Sequence, residues 1–459
     1  MEQTIPGEFR IPQYRHRRFQ NWIIIGFLYS LFYMTRYNLA ANASSLMTTF
    51  GWSKQDYGIF EFILPLVYGL AVVINGPIAD KFGGRRASLI GCAGVVVMNF
   101  LFGAASFLIK SPAVWDGKTL ITDPTLALGF SKGSLLWTLA IIWAINGYFQ
   151  AFGALSIVKI NASWFHIRER GTFGAIFGIL IRFGLILSFS ITPLITVWFN
   201  SWVYAFWIPA TLVLIFFFLT YFFVRDTPIQ AGYPDLDTGD GSGSYEPNVK
   251  MSEVLRKVFT NKVMWMIGIG SMMIGFVRRS IVDAWYPIYF KEILNVPNTA
   301  AAYQITAWGI AVVGIIGGFV FGIMSDKVFK GRRPPAIALC FLGMILIMIL
   351  FYCGEFFGLG VYYDVIMITL LSFFVNGAHG MIGGAVSMDF GGKKAAATAA
   401  GLIDGFQYLA GAFVGLAVGY IVQNFGWALW KIWAVPFAAI GAILMFILWN
   451  ATPNKKSSH

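Results

Sequence analysis

Gly76-Pro77-Ile78-Ala79-Asp80-Lys81-Phe82-Gly83-Gly84-Arg85-Arg86 closes one long apolar run and opens the next. Gly322-Ile323-Met324-Ser325-Asp326-Lys327, followed by Gly331-Arg332-Arg333, does the same far along the chain. In each loop a glycine stands four residues before an Asp-Lys pair, and a glycine precedes two arginines. A glycine turn lets two helix ends approach, and the carboxylate and arginines latch them. Fixing topology alone needs no such Gly and Asp spacing. A second anchor keeps the same register: Trp22 precedes Arg36 by 14 residues and Trp265 precedes Arg279 by 14. From arginine to loop aspartate is 44 residues in the first half and 47 in the second. The chain therefore reads as two similar halves.

The surroundings of both loops are membrane-like. Of 459 residues, 58% are hydrophobic and 12% charged, with a mean hydropathy of +0.70; soluble domains carry about 25% charged residues. Apolar runs near 21–42, 57–79, 87–109, 134–163, 172–199, 202–224, 263–287, 303–324, 335–354, 363–388, 396–422 and 428–449 are each long enough to cross a bilayer. They are continuous rather than alternating, which favours helices over a β-barrel. The expectation is an all-α membrane protein of twelve transmembrane helices in two pseudo-symmetric six-helix bundles. Residues 1–224 form the first bundle, 225–262 a cytoplasmic linker marked by Asp235 to Ser244, and 263–459 the second bundle.

Lys81, Arg85 and Arg86, Arg168 and Arg170, Lys327 to Arg333, and Lys393 and Lys394 fall in loops after even-numbered spans. The positive-inside rule then puts both termini in the cytoplasm of a cell whose inner membrane holds the protein. The net charge of +12 lies in these short loops, so it signals topology and not nucleic acid. Cys92, Cys340 and Cys353 sit in or beside apolar runs without CxxC or histidine-rich spacing, so neither a metal nor another cofactor is expected. The first apolar run continues past Arg36 without a small-residue cleavage site and reads as a retained span.

A charge at the bilayer centre costs about 2.5–3.5 kcal/mol even on the lenient scale, so each one needs a reason. Arg36 and Arg279 lie about 21 Å along their helices from Trp22 and Trp265, too deep to snorkel easily. Repeat symmetry gives them equivalent depths, and guanidiniums suit phosphate oxygens. The bland alternative for Arg279 is an ion pair with Asp283, one helical turn on; Arg278, about 100° round the helix, is a weaker binder. Arg182, about 17 Å into the fifth span, reads as cavity-facing. Lys159 either joins the substrate or snorkels. Tyr33 and Tyr68 are candidate ligands, with Tyr37 behind them and packing as their default role. His379 binds, relays a proton or satisfies a backbone carbonyl. Asp404 pairs with an arginine or carries a coupling proton.

Phe32-Tyr33-Met34-Thr35-Arg36-Tyr37-Asn38, Gly147-Tyr148-Phe149-Gln150, Arg168-Glu169-Arg170-Gly171, Arg225-Asp226-Thr227-Pro228, Trp285-Tyr286-Pro287-Ile288-Tyr289-Phe290-Lys291-Glu292 and Lys393-Lys394-Ala395 through Gly401 carry a resemblance over nearly the whole chain. They resemble the organophosphate/inorganic-phosphate antiporters of the major facilitator superfamily, which include glycerol-3-phosphate and hexose-phosphate carriers. The resemblance implies that Arg36 and Arg279 are the substrate arginines, that Tyr33 and Tyr68 stand at the site, and that Gly76, Asp80, Arg85 and Asp326 belong to the gating signature loops. Where glycerol-3-phosphate carriers have a lysine in the second span this chain has Val72, and where they have a histidine in the fifth it has Ile181, followed by Arg182. That departure implies a further anionic group on the substrate, such as a carboxylate, or a different pose.

The expected function is therefore secondary transport, not catalysis: a monomer in membrane lipid exchanges a small organic phosphate (sugar phosphate, glycerol-3-phosphate or phosphoglycerate) for inorganic phosphate. The rivals are a proton-coupled anion or sugar symporter, titrating Asp283, Asp404 or Glu61, and a membrane sugar-phosphate sensor.

Overall fold

The computed structural model describes residues 11–116, 119–166, 178–234, 260, 262–382 and 387–450. Its helices are α1 (Pro12–Ala41), the short α2 (Ala43–Phe50), α3 (Lys54–Phe82), α4 (Gly84–Ala104), α5 (Lys132–Trp164), α6 (Gly178–Trp198) and α7 (Tyr204–Phe223). The second half continues with α8 (Trp265–Glu292), α9 (Ala301–Lys327), α10 (Arg333–Phe357), α11 (Val361–Gly380), α12 (Ser387–Phe425) and α13 (Trp427–Ile447). Among the described residues ten helices are long and apolar enough to cross a membrane. With α1 and α3, at 30 and 29 residues, the expected twelve spans are all present as helices. The chain is an all-helical, multi-pass membrane protein.

Two departures from the expected spans have local causes. Helix α12 begins at Ser387, well before the apolar run near 396, because Lys393 and Lys394 interrupt hydropathy but not helicity. The loop after α4 holds two antiparallel ribbons. In one, β1 (Ile109–Ser111) pairs with β4 (Thr125–Leu126), and in the other β2 (Val114–Asp116) pairs with β3 (Thr119–Thr122). Ala113 N–H donates to the Thr49 carbonyl (3.1 Å) and Trp115 Nε1 to that of Thr48 (2.9 Å), tying the loop onto α2.

The chain divides into two compact units, and the divisions fall within α1, α3 and α5. Unit 1 comprises Met1–Asn38, Leu70–Leu108 and Ile141–Asn248; unit 2 comprises Leu39–Gly69, Ile109–Ala140 and Val249–His459.

In unit 1 an amide ladder ties four helices together. Asn38 Nδ2 donates to Asn99 Oδ1 (3.0 Å) and the Ala205 carbonyl (3.1 Å), and Asn99 Nδ2 to Asn146 Oδ1 (3.2 Å). With no water in hydrocarbon, such side chains have to find partners within the protein. Gly184 lets α6 touch α1, since an added Cβ there would stand 2.7 Å from Tyr33 Cβ.

In unit 2 the outer part of α3 lies directly on α12. A Cβ on Gly415 would come within 2.8 Å of Glu61 Cβ, and one on Gly58 within 2.6 Å of the Gly415 oxygen. Small residues allow backbones this close where hydrophobicity gives no drive to associate. Lys54 bridges to Glu292 at 3.1 Å in the same unit.

Both signature loops turn at a left-handed glycine, Gly83 (φ 86°) and Gly331 (φ 82°), two residues before Arg85 and Arg333. In the second loop Arg333 bonds Asp326, as the spacing suggests. In the first, the surroundings of Gly76 and the Asp80 side chain lie outside what is described. There Asp226 contributes the carboxylate: its Oδ1 accepts from Arg85 N–H at 2.6 Å and so caps α4 from across the unit. Arg168, Arg170 and most of the expected linker also lie outside the described residues.

Candidate functional site

Unit 1 holds Arg36, only 3% exposed. Its Nε and Nη2 reach Gln150 Oε1 at 3.4 and 3.3 Å, and Gln150 Nε2 donates onward to Thr35 Oγ1 at 3.0 Å. Tyr33 lies under the guanidinium with its ring centre 4.8 Å from Cζ, and stacks on Tyr37 at 5.8 Å. The aromatic face and the neutral amide position the Arg36 guanidinium. Tyr33 thus belongs to the arginine's surroundings. Arg182 is half-buried on α6, two residues before the Gly184 contact with Tyr33.

Lys159 is placed elsewhere. It lines a cavity of about 650 Å³ together with Lys81, Arg85, Arg86, Arg225 and Asp226. Three arginines cap the carbonyl end of α7 nearby: Arg85 bonds the Tyr221 carbonyl, Arg225 that of Phe222 (2.9 Å) and Arg17 that of Phe223 (2.6 Å). Cations at a helix C-terminus are stabilising, so much of this basic cluster has a structural purpose.

Unit 2 holds Arg279, whose Nη2 bonds Glu61 Oε2. Glu61 is 3% exposed and also accepts from the Tyr57 hydroxyl at 2.8 Å. Tyr68, one of the expected ligands, packs its ring 4.5 Å from that of Tyr408 on α12.

The alternative Arg279–Asp283 pair does not form. Asp283 Oδ2 instead lies 2.8 Å from Arg278 Nε. The cause is a π-helical turn over Arg278–Trp285. Its i to i+5 hydrogen bonding winds the backbone wider and brings residues five apart onto one face, whereas an α-helix aligns residues four apart. Arg278 and Arg279 consequently meet different carboxylates.

Arg278 also gathers two residues from other helices. Its Nη1 donates to Gln407 Oε1 on α12 at 3.3 Å and lies 3.5 Å from His379 Nε2 on α11, where the histidine tautomer sets the role. Asp404, three residues before Gln407, is within electrostatic reach of the same guanidinium. His379 thus sits beside an arginine and not only against backbone. Gln407 was not foreseen, although α12 does carry a readable stripe. Asp404, Gln407, Tyr408 and Gly411 recur at helical spacing, and a Cβ added at Gly411 would stand 3.7 Å from Arg279 Cγ.

Among the described residues no cluster of His, Cys, Asp and Glu could hold a metal.

Known transport proteins resemble the chain over nearly its whole length. Over 97% of its length the chain is 28% identical to the glycerol-3-phosphate transporter of Bacillus subtilis, covering 95% of that protein. It is 26% identical to a probable hexose phosphate transport protein of Chlamydia trachomatis, with 97% and 94% covered. A membrane sensor protein of Escherichia coli, UhpC, is 25% identical, with 96% and 95% covered. Among solved structures, a D-xylose-proton symporter superposes with a TM-score of 0.67 at 16% identity, covering 95% of this chain and 98% of that one, a likeness of fold alone. The Major Facilitator Superfamily model matches residues 25–415, and with the fold and the paired signature loops this identifies the chain as a transporter belonging to the major facilitator superfamily.

Proposed function

We propose that this transporter exchanges an organic phosphate for inorganic phosphate across the cytoplasmic membrane by alternating access. Its two six-helix halves are joined by a cytoplasmic linker, both termini are cytoplasmic, and one chain is the working unit. The observation that carries the reading is the Arg279–Glu61 pair. A guanidinium deep in a membrane protein is held by a carboxylate that is itself an anion of the chain. A phosphate group carrying about −1.5 to −2 charges, with oxygens that match the guanidinium fork, competes directly with Glu61. Arg36, its counterpart in the sequence repeat, is the second phosphate ligand, and Tyr33 and Tyr68 line the path. Full-length similarity to glycerol-3-phosphate and hexose phosphate transporters supports the phosphate assignment.

Binding energy explains exchange. Cargo that replaces Glu61 at Arg279 stabilises a loaded state with a different set of contacts, so loaded forms interconvert more readily than the empty form returns. Purified protein in vesicles preloaded with phosphate tests this. Uptake of labelled phosphate and of organic phosphates accelerates with internal phosphate; uptake equal to that of unloaded vesicles refutes exchange. The similarity to a sensor protein favours one other reading, binding without flux in the same vesicles.

A further inference from the structure

Next to Arg279, the polar cluster around Arg278 has hydrogen-bonding capacity that phosphate chemistry leaves unused. Asp283 is 3% exposed and Gln407 6%, yet among the described residues nothing bonds Asp283 Oδ1 or Gln407 Nε2. The Gln407 amide is oriented because its oxygen accepts from Arg278 Nη1 at 3.3 Å, so its two N–H donors point elsewhere. One buried acceptor and one buried donor are thus left without partners, an arrangement that costs stability unless something fills it.

The cluster is open on one side. Arg278, His379 and Asp404 are half-buried rather than sealed. Two carboxylates and a guanidinium do not turn toward lipid, so this opening is aqueous.

The charge selects the ligand. Arg278 already lies against Asp283 and within electrostatic reach of Asp404, so the chain's own carboxylates compensate it. A second carboxylate or phosphoryl group is repelled. A hydroxyl donates and accepts at once, matching the vacant acceptor and donor.

We infer that Arg278, Asp283, His379, Asp404 and Gln407 form a subsite for the hydroxyls of a polyhydroxylated organic moiety, which donate to Asp283 Oδ1 and accept from Gln407 Nε2. The inference rests on the organic-phosphate reading above and deepens it: sugar and polyol phosphates are preferred over phosphoglycerates.

The test uses the full chain in phosphate-loaded vesicles, with glucose 6-phosphate, its singly deoxygenated analogues, 3-phosphoglycerate and phosphate as external substrates. Gln407→Glu keeps the acceptor for Arg278 and removes the donor. It raises the KM for glucose 6-phosphate about tenfold relative to that for phosphate. One deoxy analogue, poorer than glucose 6-phosphate for the parent chain, loses that disadvantage in the variant. Equal change for every substrate in both Gln407→Glu and Gln407→Ala overturns the subsite and leaves the amide holding a structural water. Preference of the parent chain for 3-phosphoglycerate overturns it as well. A parent chain that exchanges no phosphate refutes the exchange reading instead; thermal stabilisation by glucose 6-phosphate, present in the parent and lost in Gln407→Glu, then decides the subsite.

Discussion

Arg279 and Glu61 are 218 residues apart in sequence and joined side chain to side chain in unit 2, with Tyr57 holding the far oxygen of the carboxylate. Removing one partner of a buried pair leaves an uncompensated charge, at a cost of about 3–5 kcal/mol. Glu61→Ala is therefore expected to lower the melting temperature in detergent. Because the exposed guanidinium then seeks an anion, added phosphate restores more of that loss than it adds to the parent protein. A phosphate shift no larger in the variant would show that Arg279 does not bind phosphate.

Lysine keeps the charge of an arginine but loses its planar fork. Arg279→Lys and Arg36→Lys are each expected to slow phosphate self-exchange in vesicles at least tenfold, about 1.4 kcal/mol of binding. Near-parental rates in both would limit these arginines to a structural role.

The Arg278–Asp283 pair, spaced five residues apart, predicts a distinct pattern of stability. Asp283→Ala strands Arg278 and lowers thermal stability by about 3–5 kcal/mol, whereas the double variant Arg278→Met/Asp283→Leu recovers most of it. Additive losses in the double variant would argue against a coupled pair. The same double variant also removes the hydroxyl subsite, so recovered stability is expected without recovered use of sugar phosphates.

At the first signature loop, Gly83 has φ 86° and ψ 157°, a region open almost only to glycine, and an added Cβ would stand 2.6 Å from Asp226 Oδ2. Gly83→Ala is expected to cost about 1–3 kcal/mol. Asp226→Ala, which removes the cap on α4, costs about 1 kcal/mol. The double variant loses less than the sum, since the clash disappears with the carboxylate. Thermal unfolding of the four proteins measures this coupling.

The resemblance of the motifs to phosphate antiporters directed attention to Arg36, Arg279, Tyr33 and Tyr68 before any geometry was known. It set Arg279 above Arg278 but left open which carboxylate each meets, because two adjacent arginines on an ideal helix point about 100° apart and an i to i+4 spacing pairs Asp283 with Arg279. The π-helical turn altered that geometry, and hydropathy carries no trace of it. The polar stripe on α12 was written in the spacing of Asp404, Gln407, Tyr408 and Gly411, yet glutamine in a span does not announce what it meets.

By itself the sequence determined the number and approximate limits of the spans and the duplication of the halves. These follow from local hydropathy and helical rise, which act along the chain. Only the tertiary structure decided which carboxylate each arginine meets, that Lys159 lies with the loop cations, and that Asp226 caps α4. Those outcomes depend on contacts between residues tens to hundreds of positions apart, where burial without water forces every polar group to take whichever partner the packing brings within reach.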